Sequence, residues 1–294
     1  MGIAKLAGGV NKNFHFRKVT PLDRQTIIRM NKDTLYSMAV IDTEGGATIT
    51  VPEIQDGRYM SVYLLDNDNY VPFVIYQAGT HQLPRDTKHI AMGIRIQLFN
   101  PDDAEELALV NYFKDQFVIK AESSDELPAF NWDMESLDAL RTQYENDSVQ
   151  YGSWAGMSGQ RGKVNDKTRR NAAAARGLFP EIDASYFNYS GGHDENICHT
   201  ATYEVPENNA FWSITIYGAD GYMKHDNNII NSSNVLMNED ETFTVYFGSK
   251  DTCGDVDNRV EVAEGWNFLM RVYLPGDSVL DGSYKLPKVV PVTK

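Results

Sequence analysis

The chain has 294 residues, 42% of them hydrophobic and 11% aromatic, enough for one large or two medium domains with a real core. Its net charge of −14 argues against nucleic acid and anionic membranes, because neutralising phosphates takes clustered Lys and Arg. The longest basic run, from Lys163 to Arg170, is broken by Asn165 and Asp166 and reads as a solvated helix face.

Met1 to Val10 lacks the apolar region of a secretory signal, although a chain whose signal had been removed looks the same. No apolar run reaches the roughly 18 residues a membrane-spanning helix needs. Residues 20–33 read as a short helix or turn leading into a strand. From Thr34, Leu35, Ser37, Ala39 and Ile41 alternate with Tyr36, Met38 and Val40, the period of a strand. Gly45-Gly46 and Asp56-Gly57 turn the chain around a strand at 47–51, and strands at 58–65 and 71–76 follow. The clearest alternation runs from His89 to Phe99, with Ile90, Met92, Ile94, Ile96 and Leu98 on one face. Strands every 8–12 residues with turn chemistry between them describe a sandwich or barrel.

Asn100-Pro-Asp-Asp103 reads as the start of a helix running to about 117, with Leu107, Val110, Lys114 and Phe117 on one stripe. Asp133 is expected to cap a second helix through about 147 with Leu137, Leu140 and Tyr144 buried, and Asn165 or Asp166 a third through Ala172–Ala175. The β pattern resumes at about 184. Trp212, Ile214 and Ile216 alternate with Ser213, Thr215 and Tyr217, the signature of a half-buried strand.

No nucleophile elbow, zinc-protease helix or P-loop is present. In Asn31-Lys-Asp-Thr-Leu-Tyr-Ser37, Asp33 is a candidate acid–base group with Asn31 and Tyr36 as partners; the competing reading has Asn31 and Asp33 capping backbone amides. Asp66-Asn-Asp-Asn69 alternates oxygen ligands of the kind Ca²⁺ uses but lacks the glycine and distal glutamate of an EF-hand, so a turn is the stronger reading and no cofactor is expected. The loop 151–162 carries Trp154 and Arg161 among glycines. Tyr36, Tyr59, Tyr63, Tyr217, Tyr246 and Tyr273 occupy polar strand faces and would line a groove that stacks a sugar or apolar ligand, or else pack in the core. Arg271 beside Tyr273 is a candidate anion or hydroxyl anchor, against a structural ion pair. Cys198 and Cys253 are too few for a disulfide scaffold, and both a single bridge and two separate thiols stay open.

Asn31-x-Asp-Thr-Leu-Tyr-Ser37 followed by Arg58-Tyr59 resembles the domain of unknown function 1254. Phe211-Trp-Ser-Ile-Thr-Ile-Tyr217 with Ala219-Asp-Gly-Tyr222, Arg271-Val-Tyr273 and Val279-Leu-Asp-Gly-Ser-Tyr284 resemble the domain of unknown function 1214. The resemblance covers roughly residues 20–292. It implies a tandem pair known from bacteria and large algal viruses, often exported, with jelly-roll-like β-sandwich units and no established reaction. His225–Asn231 and Asn258–Glu261 depart from the family pattern, so a pocket shaped by those loops would differ in specificity.

The expected fold is therefore mixed and mainly β: two jelly-roll-like antiparallel β-sandwich units joined by a helical segment. Their bounds are 1–100, 101–180 for the helical connection and 181–294. The expected function is binding or processing of a small molecule or glycan in a pocket between the units, by hydrolysis or elimination if chemistry occurs. Asp33, Tyr36 and Arg58 are the catalytic candidates, and Asn31, Asp66, Trp154, Arg161, Tyr217, Arg271 and Tyr273 the binding candidates. The alternative is a non-catalytic binding or interaction module, surface- or virion-associated. Neither nucleic acid nor membrane insertion is expected, and homo-oligomerisation and localisation stay open.

Overall fold

The computed structural model describes residues 2–128, 131–149, 151, 154–175 and 177–292, with the side chains of 148 and 149 left aside. Within the 151–162 loop, Gly152 and Ser153 lie outside the described residues. The fold is mainly β, with sixteen strands among the described residues arranged in four open sheets. The chain divides into two units. Unit 1 gathers Met1–Arg17, Leu35–Gln97 and Ala104–Asp183; unit 2 gathers Lys18–Thr34, Leu98–Asp103 and Ala184–Lys294.

Unit 1 opens with helix α1 (Gly2–Ala7) and strand β1 (Phe14–His15). Strands β2 (Thr34–Asp42), β3 (Ala47–Val51), β4 (Met60–Asp66), β5 (Val74–Ile75), β6 (Gly79–Gln82), β7 (His89–Gln97) and β8 (Val118–Ala121) follow, with helix α2 (Ala104–Asp115) before β8. They form a five-stranded sheet ordered β1-β2-β7-β4-β5 and a three-stranded sheet ordered β6-β3-β8. The alternation read from His89 onward becomes β7, antiparallel to β4 with Ile94 opposite Val62, and both of those residues are fully buried. Of the expected stripe, Val110 and Lys114 are buried on α2, Leu107 is half-buried and Phe117 is buried just past the helix end, and Phe113 is buried beside them.

Helix α3 (Met134–Val149) begins as the sequence predicts, with Ser136 N–H donating to Asp133 Oδ1 at 3.1 Å. Its expected buried stripe is not buried, however: Leu140 is exposed, and Leu137 and Tyr144 are only half-buried. The third expected helix shortens to a 3₁₀ turn at Arg169–Ala173. Asn165 does open a turn there, its side-chain oxygen accepting the Lys167 amide at 3.0 Å and its carbonyl the Arg169 amide at 2.9 Å, but that turn does not continue as an α-helix.

Unit 2 is a two-sheet sandwich. Strands β9 (Ala184–Ser190), β10 (His199–Tyr203), β11 (Trp212–Tyr217), β12 (Ile229–Asn231) and β13 (Phe243–Phe247) are followed by the short helix α4 (Lys250–Cys253). Then come β14 (Arg259–Val260), β15 (Asn267–Tyr273), helix α5 (Asp277–Leu280) and β16 (Val290–Pro291). One sheet is ordered β12-β11-β15-β9 and the other β14-β13-β10-β16. All pairings are antiparallel except β13 with β14. The core between the sheets joins Trp212, Ile214, Ile216, Phe268 and Met270 to Tyr203, Phe243, Val245 and Phe247. Trp212 stacks on Phe243 at 4.2 Å and Tyr203 on the same ring at 5.1 Å, pairs worth about 0.5–1.5 kcal/mol each beyond their burial. Cys198 and Cys253 are joined by a disulfide at the start of β10, which decides between the two thiol states left open by the sequence.

Strand β11 differs from its sequence reading in one respect: all six of its residues are buried. The Trp212 face meets the opposite sheet, and Leu22 and Met30 from segment 18–34 pack with Tyr217 and Leu269. A segment from the first eighth of the chain thereby covers the face that alternation alone assigned to solvent.

Candidate functional site

Two constellations carry enough polar chemistry to be considered, one in each unit. In unit 2, Arg271 rises from the centre of β15 and is only 4% exposed. It donates to Thr215 Oγ1 at 3.1 Å, Tyr217 OH at 2.9 Å and the carbonyl of Arg29 at 2.8 Å. Tyr217 OH in turn donates to the Met30 carbonyl at 2.7 Å, and Asn31 donates to Tyr273 OH at 2.7 Å. The Asn31 side-chain oxygen accepts the Asp33 amide, as in an Asx turn, and Asp33 Oδ1 accepts from Asn231 at 3.0 Å. Arg29 takes a left-handed backbone (φ 58°), fixed by its amide bond to Gly221 O at 2.9 Å and a side-chain bond to Asn267.

Asp33 is 1% exposed. Burial raises its pKa above the ordinary carboxylate value, against opposing pulls from Ser213, Asn231 and Arg271. Burial lowers the proton affinity of Arg271, but Tyr217, Tyr273 and Asp33 outweigh it and the net shift is upward. Four of the sequence-derived candidates in this unit (Asn31, Tyr217, Arg271 and Tyr273) are thus brought together with Asp33. Their donors and acceptors are largely spent on one another. The network fastens segment 18–34 to its sheet.

In unit 1 the polar groups stand open. A cavity of about 810 Å³ is lined by Asn67, Lys88, His89, Asp125, Glu126 and Trp132, among others. The frame beneath it is rigidly built. Asp42, buried at the end of β2, accepts the amide of Glu44 at 3.0 Å and that of Asp125 at 2.7 Å. Burial pushes its pKa up, but those amide bonds outweigh it, and the carboxyl ends below the ordinary value. His89 Nε2 donates to the Asp125 carbonyl at 3.0 Å, so that nitrogen carries the proton. Lys88 Nζ sits 2.6 Å from both Asp125 Oδ2 and Glu44 Oε2, and those two hydrogen bonds raise its pKa. Trp132 stands at the rim with 56% of its surface exposed.

Residues 10–79 match the model of a protein of unknown function (DUF1254), and residues 181–277 match that of a second protein of unknown function (DUF1214). The chain carries these two domains in tandem. No curated protein matches it. Among solved structures it is similar to the VPA0106 protein from Vibrio parahaemolyticus, with a TM-score of 0.71 and 17% identity over 90% of each chain. It is also similar to a putative uncharacterized protein from Burkholderia cenocepacia, with a TM-score of 0.58 and 14% identity over 98% of this chain and 84% of the other. At such identities the likeness speaks for the fold alone.

The remaining candidates lie in unit 1. Arg58, just past the Asp56-Gly57 turn of the DUF1254 region, is buried in an ion-pair network with Asp56 at 2.7 Å and Glu106 at 3.0 Å, and also donates to the Gln97 carbonyl. Tyr36 lies half-buried with the Arg95 guanidinium 5.3 Å from its ring centroid. Asp33 belongs to unit 2, so these three catalytic candidates are divided between the units. Asp66 and Arg161 do meet, at 2.9 Å, with Arg161 also stacked over Tyr70. Asp66 Oδ1 accepts the amides of Asp68 and Tyr70, the bonding of a turn. Trp154 is half-buried in the loop before Arg161. Among the described residues no three His, Cys, Asp or Glu side chains converge on a point that could hold a metal ion.

Tyr59, Tyr63, Tyr217 and Tyr273 are buried, so four of the six tyrosines expected along a groove are packed inside the protein. Lys88, Asp125 and Trp132 were not visible as a group in the sequence. The only local signal was an exposed-type aromatic, Trp132, set in a polar segment immediately before the Asp133 cap. In the DUF1214 region, the loops 225–231 and 258–261 share a smaller depression of about 280 Å³ through Asn227, Ile229, Asn258 and Arg259.

Proposed function

We propose that the chain is a non-catalytic binding module for a hydroxylated small molecule of the mono- or oligosaccharide class, seated in the unit 1 cavity. The observation that carries this reading is the cavity itself: about 810 Å³, with an exposed tryptophan on its rim and side chains already held in place beneath it. That volume falls within the roughly 300–1,000 Å³ typical of small-ligand sites. A tryptophan face offers a flat apolar platform to the C–H face of a sugar ring. Asn67, Lys88 and Asp125 offer both donors and acceptors to its hydroxyls, and the bonds Lys88 makes to Glu44 and Asp125 limit the entropy lost on binding. The burial of Asp33 and Arg271 supports a fastening role for that cluster over an acid–base one, because substrate has no approach to a group 1% exposed. The Cys198–Cys253 bridge supports an oxidising compartment as the working environment.

The test is calorimetric titration of the intact protein with a panel of neutral, acidic and amino saccharides. Saturable binding is expected for at least one class, weakened tenfold or more in Trp132→Ala, about 1.4 kcal/mol. Absence of binding across the panel at millimolar concentration, or affinity unchanged in Trp132→Ala, overturns the proposal.

A further inference from the structure

The Asp33 carboxyl group is bonded in an unusual way for a buried acid. Oδ1 accepts one bond, from Asn231, while Oδ2 is buried without any hydrogen-bond partner. Ser213 Oγ on β11 and Thr34 Oγ1, next to Asp33 in the chain, are likewise buried outside hydrogen-bond geometry, although Ser213 lies near enough to favour the charged form of Asp33. Buried carboxylates ordinarily collect several donors or a direct ion pair, since an ionised oxygen left bare in the interior is costly. Arg271 supplies no such pair: its donors go to Thr215, Tyr217 and the Arg29 carbonyl. The other charges nearby are also engaged elsewhere. Lys32 Nζ turns to Asp226 and Asn228, Arg29 bonds Asn267, and Tyr273 OH accepts from Asn31. A proton on Oδ2 changes this balance, because it removes the charge that makes a bare carboxylate oxygen costly in the interior.

We propose that Asp33 is kept as the neutral carboxylic acid, and that this proton fastens segment 18–34 to the β12-β11-β15-β9 sheet so that alkalinisation loosens it. The proton goes to solvent water or hydroxide as the fastening opens, and no other bond changes. Burial, which dominates the environment of Asp33, favours the neutral form; Ser213, Asn231 and the Arg271 charge oppose it without prevailing. The direction follows from linkage. A group whose folded pKa lies above its unfolded value contributes stability that is complete at acid pH and is lost as pH rises through the folded pKa.

The test is amide hydrogen exchange in the full-length protein across about pH 5–8, read at the Arg29 and Asp33 amides, which bond Gly221 O and the Asn31 side chain. After correction for intrinsic exchange, the opening constant should rise about tenfold per pH unit until Asp33 titrates, as one released proton requires. Asp33→Asn mimics the neutral acid, and its opening constant should be flat over that range. A pH-independent opening constant in the native chain overturns the proposal. A second readout covers the case in which the variant does not fold. In native protein labelled with ¹³C at aspartate carboxyls, one resonance should stay at the protonated position through about pH 6. If all are ionised there, Asp33 is a carboxylate and the inference fails.

Discussion

Removing Arg271 tests whether the buried network holds segment 18–34 in place. In Arg271→Ala the hydroxyl of Thr215, the hydroxyl of Tyr217 and the carbonyl of Arg29 all lose their guanidinium donor. Tyr217 keeps its own bond to the Met30 carbonyl, so Thr215 and Arg29 bear most of the loss. Hydrogen bonds to a charged group contribute about 1.5–3 kcal/mol each and do not add fully when they share a donor. Relief from burying the guanidinium offsets part of the sum. Breaking a buried charged network from one side costs about 3–5 kcal/mol, and that is the expected loss for unit 2. Arg271→Lys keeps the charge but lacks the planar fork; with at least one of the three acceptors abandoned, it should cost about 1–3 kcal/mol. The assay is urea unfolding followed by tryptophan fluorescence. Of the four tryptophans, Trp212 and Trp266 are buried in unit 2, so a background carrying Trp132→Phe and Trp154→Phe reports that unit alone. A shift below about 1 kcal/mol for alanine, or equal losses for lysine and alanine, refutes the reasoning.

Three further outcomes follow from particular contacts. The Cys198–Cys253 bridge spans 55 residues, and closing such a loop in the unfolded chain is worth about 4 kcal/mol; Cys253→Ser should lower the unit 2 melting midpoint by roughly 10 °C in calorimetry. Lys114 is buried on α2 against the Phe16 carbonyl, and burial, assisted by Arg17 against Asp115, brings its pKa down to about 7. A base with a depressed folded pKa contributes stability that is complete above its unfolded value and is lost as pH falls through the folded one. Unit 1 should therefore weaken as pH drops from about 10 to about 7, and Lys114→Met should flatten that slope in urea titrations. Asp125→Asn removes one of the two carboxylates clasping Lys88, and saccharide affinity should fall while the urea midpoint stays where it is, because this pair is largely exposed.

The longer strands, such as β2, β7 and β11, were legible because each carries its own period, whereas the short β1, β6, β8, β12 and β14 are too brief to show one. The register of β7 against β4 places the apolar row of one opposite the apolar row of the other, which alternation alone requires. The Asp133 cap was legible for the same reason, since capping is a matter of residues three apart. What local pattern cannot show is who covers whom. Ser213, Thr215 and Tyr217 read as solvent-facing, and the residues that bury that face are Leu22, Met30, Asn31 and Asp33, about 180 positions earlier. The stripe of α3 failed in the opposite sense: Leu140 has the right spacing for a buried face and lies exposed. Asp33, Asn31, Arg271 and Tyr273 were found from residue chemistry, but their role turned on burial, which sequence does not measure. The cavity residues Asn67, Lys88, Asp125 and Trp132 come from three separate stretches and share no motif.

The placement of segment 18–34 gives a physical reason for the two matched regions to occur in one chain. The DUF1254 match, residues 10–79, includes Lys18–Thr34, yet those residues make their bonds in unit 2. Without them, Arg271 on the DUF1214 strand loses its Arg29 acceptor, Asn231 loses Asp33, and Tyr273 loses Asn31. A polar sheet face left bare in this way would need water in place of each partner, and its apolar neighbours Tyr217 and Leu269 would be uncovered with it. A DUF1214 region starting at residue 181 would therefore lack the partners of Arg271, Asn231 and Tyr273. The Asn-x-Asp run at 31–33 that resembles a family signature earns its place by completing the other domain's sheet rather than its own.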